Sequence, residues 1–149
     1  MMPIIVLDAN IAVKILHKES DSLQALDFIK YCAEKNAKLV VPEHFLYELV
    51  NVCQFLGVDV KTTLKLFDGL KSSLLTVVRP SNATWLLAER ISKHGHKNSG
   101  FPAMYDSIYH ALAIEAEGIF LTADKKHVVK AESFGKVVLL KNWEATLKA

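Results

Sequence analysis

The chain alternates short apolar runs with longer segments in which apolar residues recur every three or four positions. Five runs have the length of buried strands: residues 4–7, 38–41, 74–78, 119–122 and 137–140. Between them the spacing predicts amphipathic helices, as for Ile108, Leu112 and Ala116. Strands that alternate with helices are typical of an α/β fold with a parallel sheet, here of about five strands.

Capping residues and inward-facing stripes complete the predicted helices. Asp59 and Ser81 are expected to cap two of them. The buried stripe of the second helix is expected to be Leu23, Leu26, Ile29 and Cys32 or Ala33, and that of the helix after Pro42 to be Phe45, Leu49, Val52 and Leu56. Gly118 stands where a helix commonly ends in a left-handed residue.

Composition places the chain among ordinary globular proteins and adds little about function. The 149 residues are 51% hydrophobic and 23% charged, with a net charge of +2, so we expect one domain over residues 1–149. Cys32 and Cys53 fall at apolar helix positions, which predicts buried, reduced thiols. The first residues lack a basic region and a long apolar run, so we expect neither signal peptide nor membrane span, and a cytoplasmic location.

Four acidic residues from distant segments are predicted to meet at one edge of the sheet. Asp8 and Asp124 directly follow the first and fourth strands. Asp106 lies in the first turn of the helix before the fourth strand, and Glu48 in the second turn of the helix after the second strand. Helices that connect parallel strands begin at the edge where strands end, so all four carboxylates should share that edge. Ligands of such sheets bind there.

Close carboxylates favour a cation. They raise one another's pKa unless a positive charge joins them, and Glu48 falls within an apolar stripe, where it needs a distant base or a metal ion. Oxygen ligands without sulfur favour Mg²⁺ or Mn²⁺, which indicates phosphoryl transfer or phosphodiester hydrolysis. Asn10 orients Asp8, binds a metal-bound water or caps the next helix, and Thr122 is placed to hydrogen-bond an acid.

Basic residues near the same edge are candidate contacts for nucleic-acid phosphates, although a solvated charge run has the same pattern. They lie in the loop from Lys93 to Met104, which precedes the Asp106 helix, and directly after the fourth strand. They are Lys93, His94, His96, Lys97 and Lys125.

The motifs LDANIAV, PEHFLYELVNV, YDSIYHALAI and FLTADKK, in this order, resemble the four acidic motifs of PIN-domain proteins, particularly VapC-like toxins. The resemblance implies a three-layer α/β/α sandwich, Mg²⁺- or Mn²⁺-dependent endoribonuclease activity on RNA, a homodimer, and inhibition by a small antitoxin protein. It implies that the metal-binding and catalytic acids are Asp8, Glu48, Asp106 and Asp124, supported by Asn10 and Thr122. His110 stands where the family usually has a small apolar residue, and no role is attached to it.

Other classes of protein share parts of this pattern. A PIN-like module that binds RNA or an antitoxin without cleavage would retain the acids. A phosphoacceptor receiver domain would place its acceptor aspartate after the third strand, where this chain has Arg79 and Pro80. A haloacid dehalogenase-type phosphatase needs a second aspartate at the position of Asn10.

Overall fold

The computed structural model describes residues 2–95, 98 and 100–149. These residues form a five-stranded sheet in the order β3-β2-β1-β4-β5, in which every neighbouring pair is parallel. The strands are β1 (Ile5–Leu7), β2 (Leu39–Pro42), β3 (Leu75–Val78), β4 (Ile119–Thr122) and β5 (Val137–Leu139). The predicted parallel α/β fold is therefore confirmed.

Helices connect the strands as the apolar spacing predicted. They are α1 (Ala9–Leu16), α2 (Ser22–Glu34), α3 (Phe45–Phe55), α4 (Val60–Ser73), α5 (Asn82–Lys93), α6 (Met104–Glu115), α7 (Lys125–Ala131) and α8 (Trp143–Leu147), with short 3-10 turns at Glu132–Phe134 and Leu140–Asn142. Asp59 accepts a hydrogen bond from the Thr62 amide at 2.7 Å, and Ser81 forms a capping box with Thr84. Both predicted caps are confirmed.

The helices cover both faces of the sheet and give a three-layer α/β/α sandwich. All residues of β1 and β2 are buried, and alternate side chains of a strand point to opposite faces, so both faces must be covered. Helix α6 packs against β1, β2 and β4, whereas α1 packs against α2 and α3. In the described part of the chain no helix is long and apolar enough to cross a membrane.

The order of strands is not that of a receiver domain. In that doubly wound fold the third strand lies beside the first. Here β3 lies at the sheet edge beside β2, and β1 lies between β2 and β4. The receiver alternative is therefore wrong.

Two predicted helix stripes are wrong in part. Helix α2 buries Ser22, Ala25, Phe28 and Cys32, whereas Leu23 is 69% exposed. The Trp143 ring packs edge-on against Phe28 at 5.7 Å, so the C-terminal segment decides which face of α2 is buried. Helix α3 buries Phe45, Leu49 and Cys53, and leaves Val52 and Leu56 partly exposed in the cavity described below. Both cysteines are buried and unbridged, as predicted.

Gly118 is required for a close contact rather than for a left-handed turn. Glu117 adopts the positive φ of 53° after α6, whereas Gly118 is buried between β1 and β4. A Cβ atom at Gly118 would collide with the carbonyl oxygen of Ile4, which accepts a hydrogen bond from the Ile119 amide at 2.9 Å. The expected left-handed conformation of Gly118 is therefore wrong.

Gly118→Ala is expected to lower the free energy of unfolding by about 3 kcal/mol, because the added methyl group must push β1 and β4 apart. Urea denaturation monitored by circular dichroism measures this change. The matched control is Gly69→Ala in α4, where a Cβ would meet no atom within 4 Å. That change should stabilise the protein by roughly 0.5–1 kcal/mol. Equal stability of Gly118→Ala and the wild type would contradict the prediction.

Candidate functional site

A cavity of about 270 Å³ lies at the carboxyl edge of the sheet, and it is lined by the four predicted acids. They are Asp8, Glu48, Asp106 and Asp124, with Asn10 beside them. Asp8 and Asp124 follow β1 and β4, which are neighbours in the sheet, while α3 and α6 bring in the other two carboxylates. The structure thus brings together residues that are up to 116 positions apart in sequence (124 − 8).

Asp8 is buried, and each of its two carboxylate oxygens accepts one hydrogen bond. It is the N-cap of α1, where Oδ1 accepts from the Asn10 amide at 3.2 Å, while Oδ2 accepts from the Thr122 hydroxyl at 2.8 Å. Burial raises the pKa of Asp8 to about 7, the charge of Asp106 adds to this, and the Thr122 hydrogen bond opposes it. Near pH 7 Asp8 is therefore about half protonated in the metal-free protein.

The Thr122 hydroxyl is the centre of a small network. It donates to Asp8 and accepts from the Asp124 amide at 3.0 Å and from the Asn10 side-chain amide at 3.3 Å. One hydroxyl proton and two lone pairs are thereby all used. Asn10 Oδ1 also accepts from the Ala123 amide at 3.3 Å, so Asn10 ties α1 to the end of β4. The helix cap is Asp8, and the capping role considered for Asn10 is wrong.

Glu48 has two partners that the sequence analysis did not identify. The Tyr109 hydroxyl donates to Glu48 Oε1 at 3.3 Å. His44 Nε2 lies 3.1 Å from the same oxygen, at ion-pair distance but not aligned for a hydrogen bond. Helix α3 begins at Phe45, so Glu48 lies in its first turn, and its side chain is 32% exposed rather than buried in a stripe.

Helical spacing could have suggested one of these partners. His44 precedes Glu48 by four residues and so shares a helix face with it, whereas the contact of Tyr109 with Glu48 joins α6 to α3. The Tyr109 ring stacks on Phe120 of β4 at 5.5 Å, which fixes its hydroxyl beside α3.

Asp106 and Asp124 complete the acidic wall. Burial, followed by the charges of Glu48 and Asp124, raises the pKa of Asp106 to about 6, against the opposing effect of His44 and Lys130. Asp124 is the N-cap of α7, where Oδ1 accepts from the amides of Lys126 at 2.9 Å and His127 at 3.3 Å. The backbone of α7 therefore orients the Asp124 carboxylate.

The predicted basic contacts that the structure describes lie apart from the cavity lining. Exposed Lys93 pairs with Glu89 at 3.5 Å, and the His94 ring packs edge-on against Phe134 at 5.2 Å. Lys125 lines a separate depression beside Leu140. His96 and Lys97 lie outside the described residues. Of the described residues that line the acidic cavity, one is basic. It is Lys14, which was not among the predicted contacts.

The donor set fits a hard divalent cation. In the described residues no three His, Cys, Asp or Glu side chains are close enough to form a complete metal site. Mg²⁺, however, keeps several of its waters and is commonly held by one or two carboxylates, which suits oxygen donors spread around an open cavity. The raised pKa values of Asp8 and Asp106 come first from burial and then from neighbouring negative charge, and such a cation would offset both.

A buried histidine pair lies behind this wall. His110 Nε2 is 2.6 Å from the Gly135 carbonyl oxygen and donates to it, so His110 Nδ1 is free to accept from His127 Nε2 at 3.3 Å. Burial lowers the pKa of His127 to about 4 and also lowers that of His110, so both rings are neutral near pH 7. The pair joins α6, which carries Asp106, to α7, which Asp124 caps.

Comparison with known proteins gives a family and a fold. Residues 5–132 match a family model described as PIN domain. VapBC2 from Rickettsia felis, solved bound to a DNA fragment from its promoter, is 18% identical with a TM-score of 0.66, covering 91% of this chain and 96% of that chain. No curated protein matches the sequence.

Two further solved structures are similar. A toxin–antitoxin complex from Klebsiella pneumoniae has 14% identity and a TM-score of 0.63, over 91% of this chain and 96% of that chain. Mycobacterium tuberculosis VapC20, a sarcin–ricin loop cleaving toxin, has 10% identity and a TM-score of 0.65, over 84% and 93%. At these identities the likeness concerns the fold.

Proposed function

The chain belongs to the PIN-domain family, and from this we propose that it is a Mg²⁺- or Mn²⁺-dependent endoribonuclease and the toxin of a type II toxin–antitoxin pair. The observation that carries the proposal is the acidic cavity. Burial, with the charges of neighbouring carboxylates added to it, raises the pKa of Asp8 to about 7 and that of Asp106 to about 6, an unfavourable arrangement for the free protein that a divalent cation would relieve.

The proposed roles follow from the contacts of each acid. Asp8, Glu48, Asp106 and Asp124 would hold the cation, which supplies neutralisation of charge on the phosphate and leaving oxygen. Thr122 fixes both Asp8 and the backbone of Asp124 through one hydroxyl. Tyr109 holds Glu48 against α6. Because these supports come from buried, packed elements, the acids keep their relative positions when RNA enters.

Partners are proposed from the structural relatives and from exposed apolar residues. The Klebsiella relative is a toxin–antitoxin complex. In this chain Tyr47 and Phe55 of α3 are 76% and 92% exposed, and Leu86 of α5 is 64% exposed. Exposed apolar side chains mark a protein contact where they form a contiguous patch. We propose that an antitoxin protein covers α3 and that a second copy of the chain forms a homodimer.

The proposal is tested by incubating the purified protein with a mixed pool of structured and single-stranded RNAs, with Mn²⁺ or Mg²⁺ and with EDTA. Cleavage that requires the cation is the expected result. If the protein binds both Mn²⁺ and RNA but leaves every RNA intact, the nuclease proposal fails and the non-catalytic binding module replaces it.

The control for a change in the overall charge of the protein is Asp68→Asn. Asp68 is an exposed acid on α4 outside the cavity lining. This variant should cleave at the wild-type rate, because its carboxylate does not reach the cation. A loss of cleavage in Asp68→Asn would mean that the overall charge of the protein, and not the acidic cavity, governs activity.

A further inference from the structure

Lys14 is held at the acidic cavity in an unusual setting for a lysine. Its side chain is only 12% exposed, and its Nζ lies 2.9 Å from Asp21 Oδ1 and 3.4 Å from Glu19 Oε2. Helix α1 begins directly after Asp8, so Lys14 lies six residues further along the helix, about 9 Å from the cap at 1.5 Å per residue. Asp8 and Lys14 both line the same cavity.

An apolar strip separates Lys14 from the acids. Glu48, Val52 and Leu56 recur every four residues on α3, so they lie on one face at intervals of about 6 Å. Val13 of α1 lines the same cavity. Along α1 and α3 the cavity therefore runs from the four carboxylates over aliphatic side chains to Lys14, where Glu19 also lines it.

This order of acidic, aliphatic and basic surfaces is complementary to a short stretch of single-stranded nucleic acid. The acidic end takes a phosphate through a cation, an aliphatic surface accommodates a nucleoside, and a lysine neutralises a second phosphate. We propose that Lys14 binds a phosphate flanking the scissile one and that Val13 and Val52 contact the nucleoside between them. The inference rests on the proposed ribonuclease function.

The ion pairs of Lys14 are compatible with this role. A lysine ammonium has three hydrogen-bond donors; one is donated to Glu19 Oε2 at 3.4 Å, and Asp21 Oδ1 lies at ion-pair distance, which leaves at least one donor for a phosphate oxygen. The two carboxylates are 36% and 33% exposed and the lysine is 12% exposed, so the ion pairs are partly shielded from water. They keep the flexible side chain beside the cavity, and a phosphate oxygen is bound by the remaining donor of the ammonium group.

A purely structural clamp is the alternative, since Asp21 is the N-cap residue of α2 and Lys14 joins it to α1. The two roles predict different effects of neutralising Glu19 and Asp21. If Lys14 is a clamp, removing either side of the ion pair weakens the protein. If Lys14 binds phosphate, removing the lysine weakens RNA binding, whereas neutralising Glu19 and Asp21 strengthens it because competition and repulsion are lost.

The experiment measures RNA cleavage kinetics with Mn²⁺ at several salt concentrations. Lys14→Met should raise KM about tenfold with little change in kcat, and should reduce the slope of log KM against log salt by about 0.7, the value for one phosphate of a single strand. Lys14→Arg should restore KM. The double variant Glu19→Gln/Asp21→Asn should lower KM. The control Lys65→Met, on the exposed face of α4, should behave as wild type.

Two results would overturn the inference. One is an unchanged KM in Lys14→Met. The other is an increase of KM in both Lys14→Met and the Glu19/Asp21 double variant, accompanied by lower melting temperatures, which identifies a clamp. Wild-type cleavage is measured in the same series, so a failure of the ribonuclease proposal is seen in the wild type, and a failure of the Lys14 inference only in the variants.

Discussion

Asp106→Asn is expected to lower metal-dependent RNA cleavage about a thousandfold while stabilising the metal-free protein. A bound cation contributes several kcal/mol of charge stabilisation in the transition state, and about 4 kcal/mol corresponds to a factor of a thousand. In the metal-free protein the same carboxylate is unfavourable, because burial and the charges of Glu48 and Asp124 raise its pKa to about 6. Removing its charge should add about 1–2 kcal/mol at pH 8, after allowance for partial exposure.

Cleavage rates and urea denaturation in EDTA measure the two effects on the same preparations. Asp68→Asn is the control, and it should change neither rate nor stability by a comparable amount. A contaminating ribonuclease would cut equally in all three samples. If Asp106→Asn lost activity but was also less stable without metal, the carboxylate would be a structural residue, and the loss of cleavage would reflect misfolding.

The gain in stability and the loss of activity have one cause. Asp8, Glu48, Asp106 and Asp124 line one cavity at an electrostatic cost to the free protein. The surrounding elements supply the compensation: three hydrogen bonds converge on the Thr122 hydroxyl, and the Tyr109 ring is packed against Phe120. An acidic site of this kind is retained because the cation, and not the protein alone, completes it.

The convergence of the acids was predictable because it depends on chain order alone. Parallel strands and their crossover helices place strand ends and helix starts at one edge, so Asp8, Asp106 and Asp124 meet whatever the details of packing. The contact of Glu48 with Tyr109 depends instead on how α3 is rotated against α6, and that rotation is set by contacts between side chains distant in sequence. Tyr109 therefore emerged only from the structure, whereas the spacing of four residues could have suggested His44.

The same limit explains the helix stripes and Gly118. Helix α2 has apolar residues on more than one face, and the distant Trp143 decides that Phe28 rather than Leu23 is buried. Gly118 follows a helix, as a left-handed glycine would, but its small size is needed because β1 passes beside it. Local pattern predicts which element a residue belongs to; the approach of other segments determines why that residue type is needed there.

Stabilisation by Mn²⁺ or Mg²⁺ is expected to increase steeply between pH 5.5 and pH 8. The folded-state pKa values of Asp8 and Asp106, about 7 and about 6, lie above the unfolded value of 3.8. The metal-free protein therefore loses stability as pH rises from the unfolded pKa value through these two folded-state values. At pH 5.5 a cation must displace protons from both acids, whereas at pH 8 it meets two carboxylates.

The measurement is the shift in melting temperature caused by saturating cation at each pH, together with its apparent Kd. The apparent Kd should fall about tenfold between pH 6 and pH 7, as one proton is displaced. Protonation of the buried His110–His127 pair lowers the stability of the folded protein at low pH, which is the opposite effect. It does so with and without cation, so it cancels in the shift of melting temperature. Asp106→Asn should show a smaller shift that still follows the titration of Asp8. An equal shift at pH 5.5 and pH 8 would place the cation outside the acidic cavity, because only there does binding compete with these two protons.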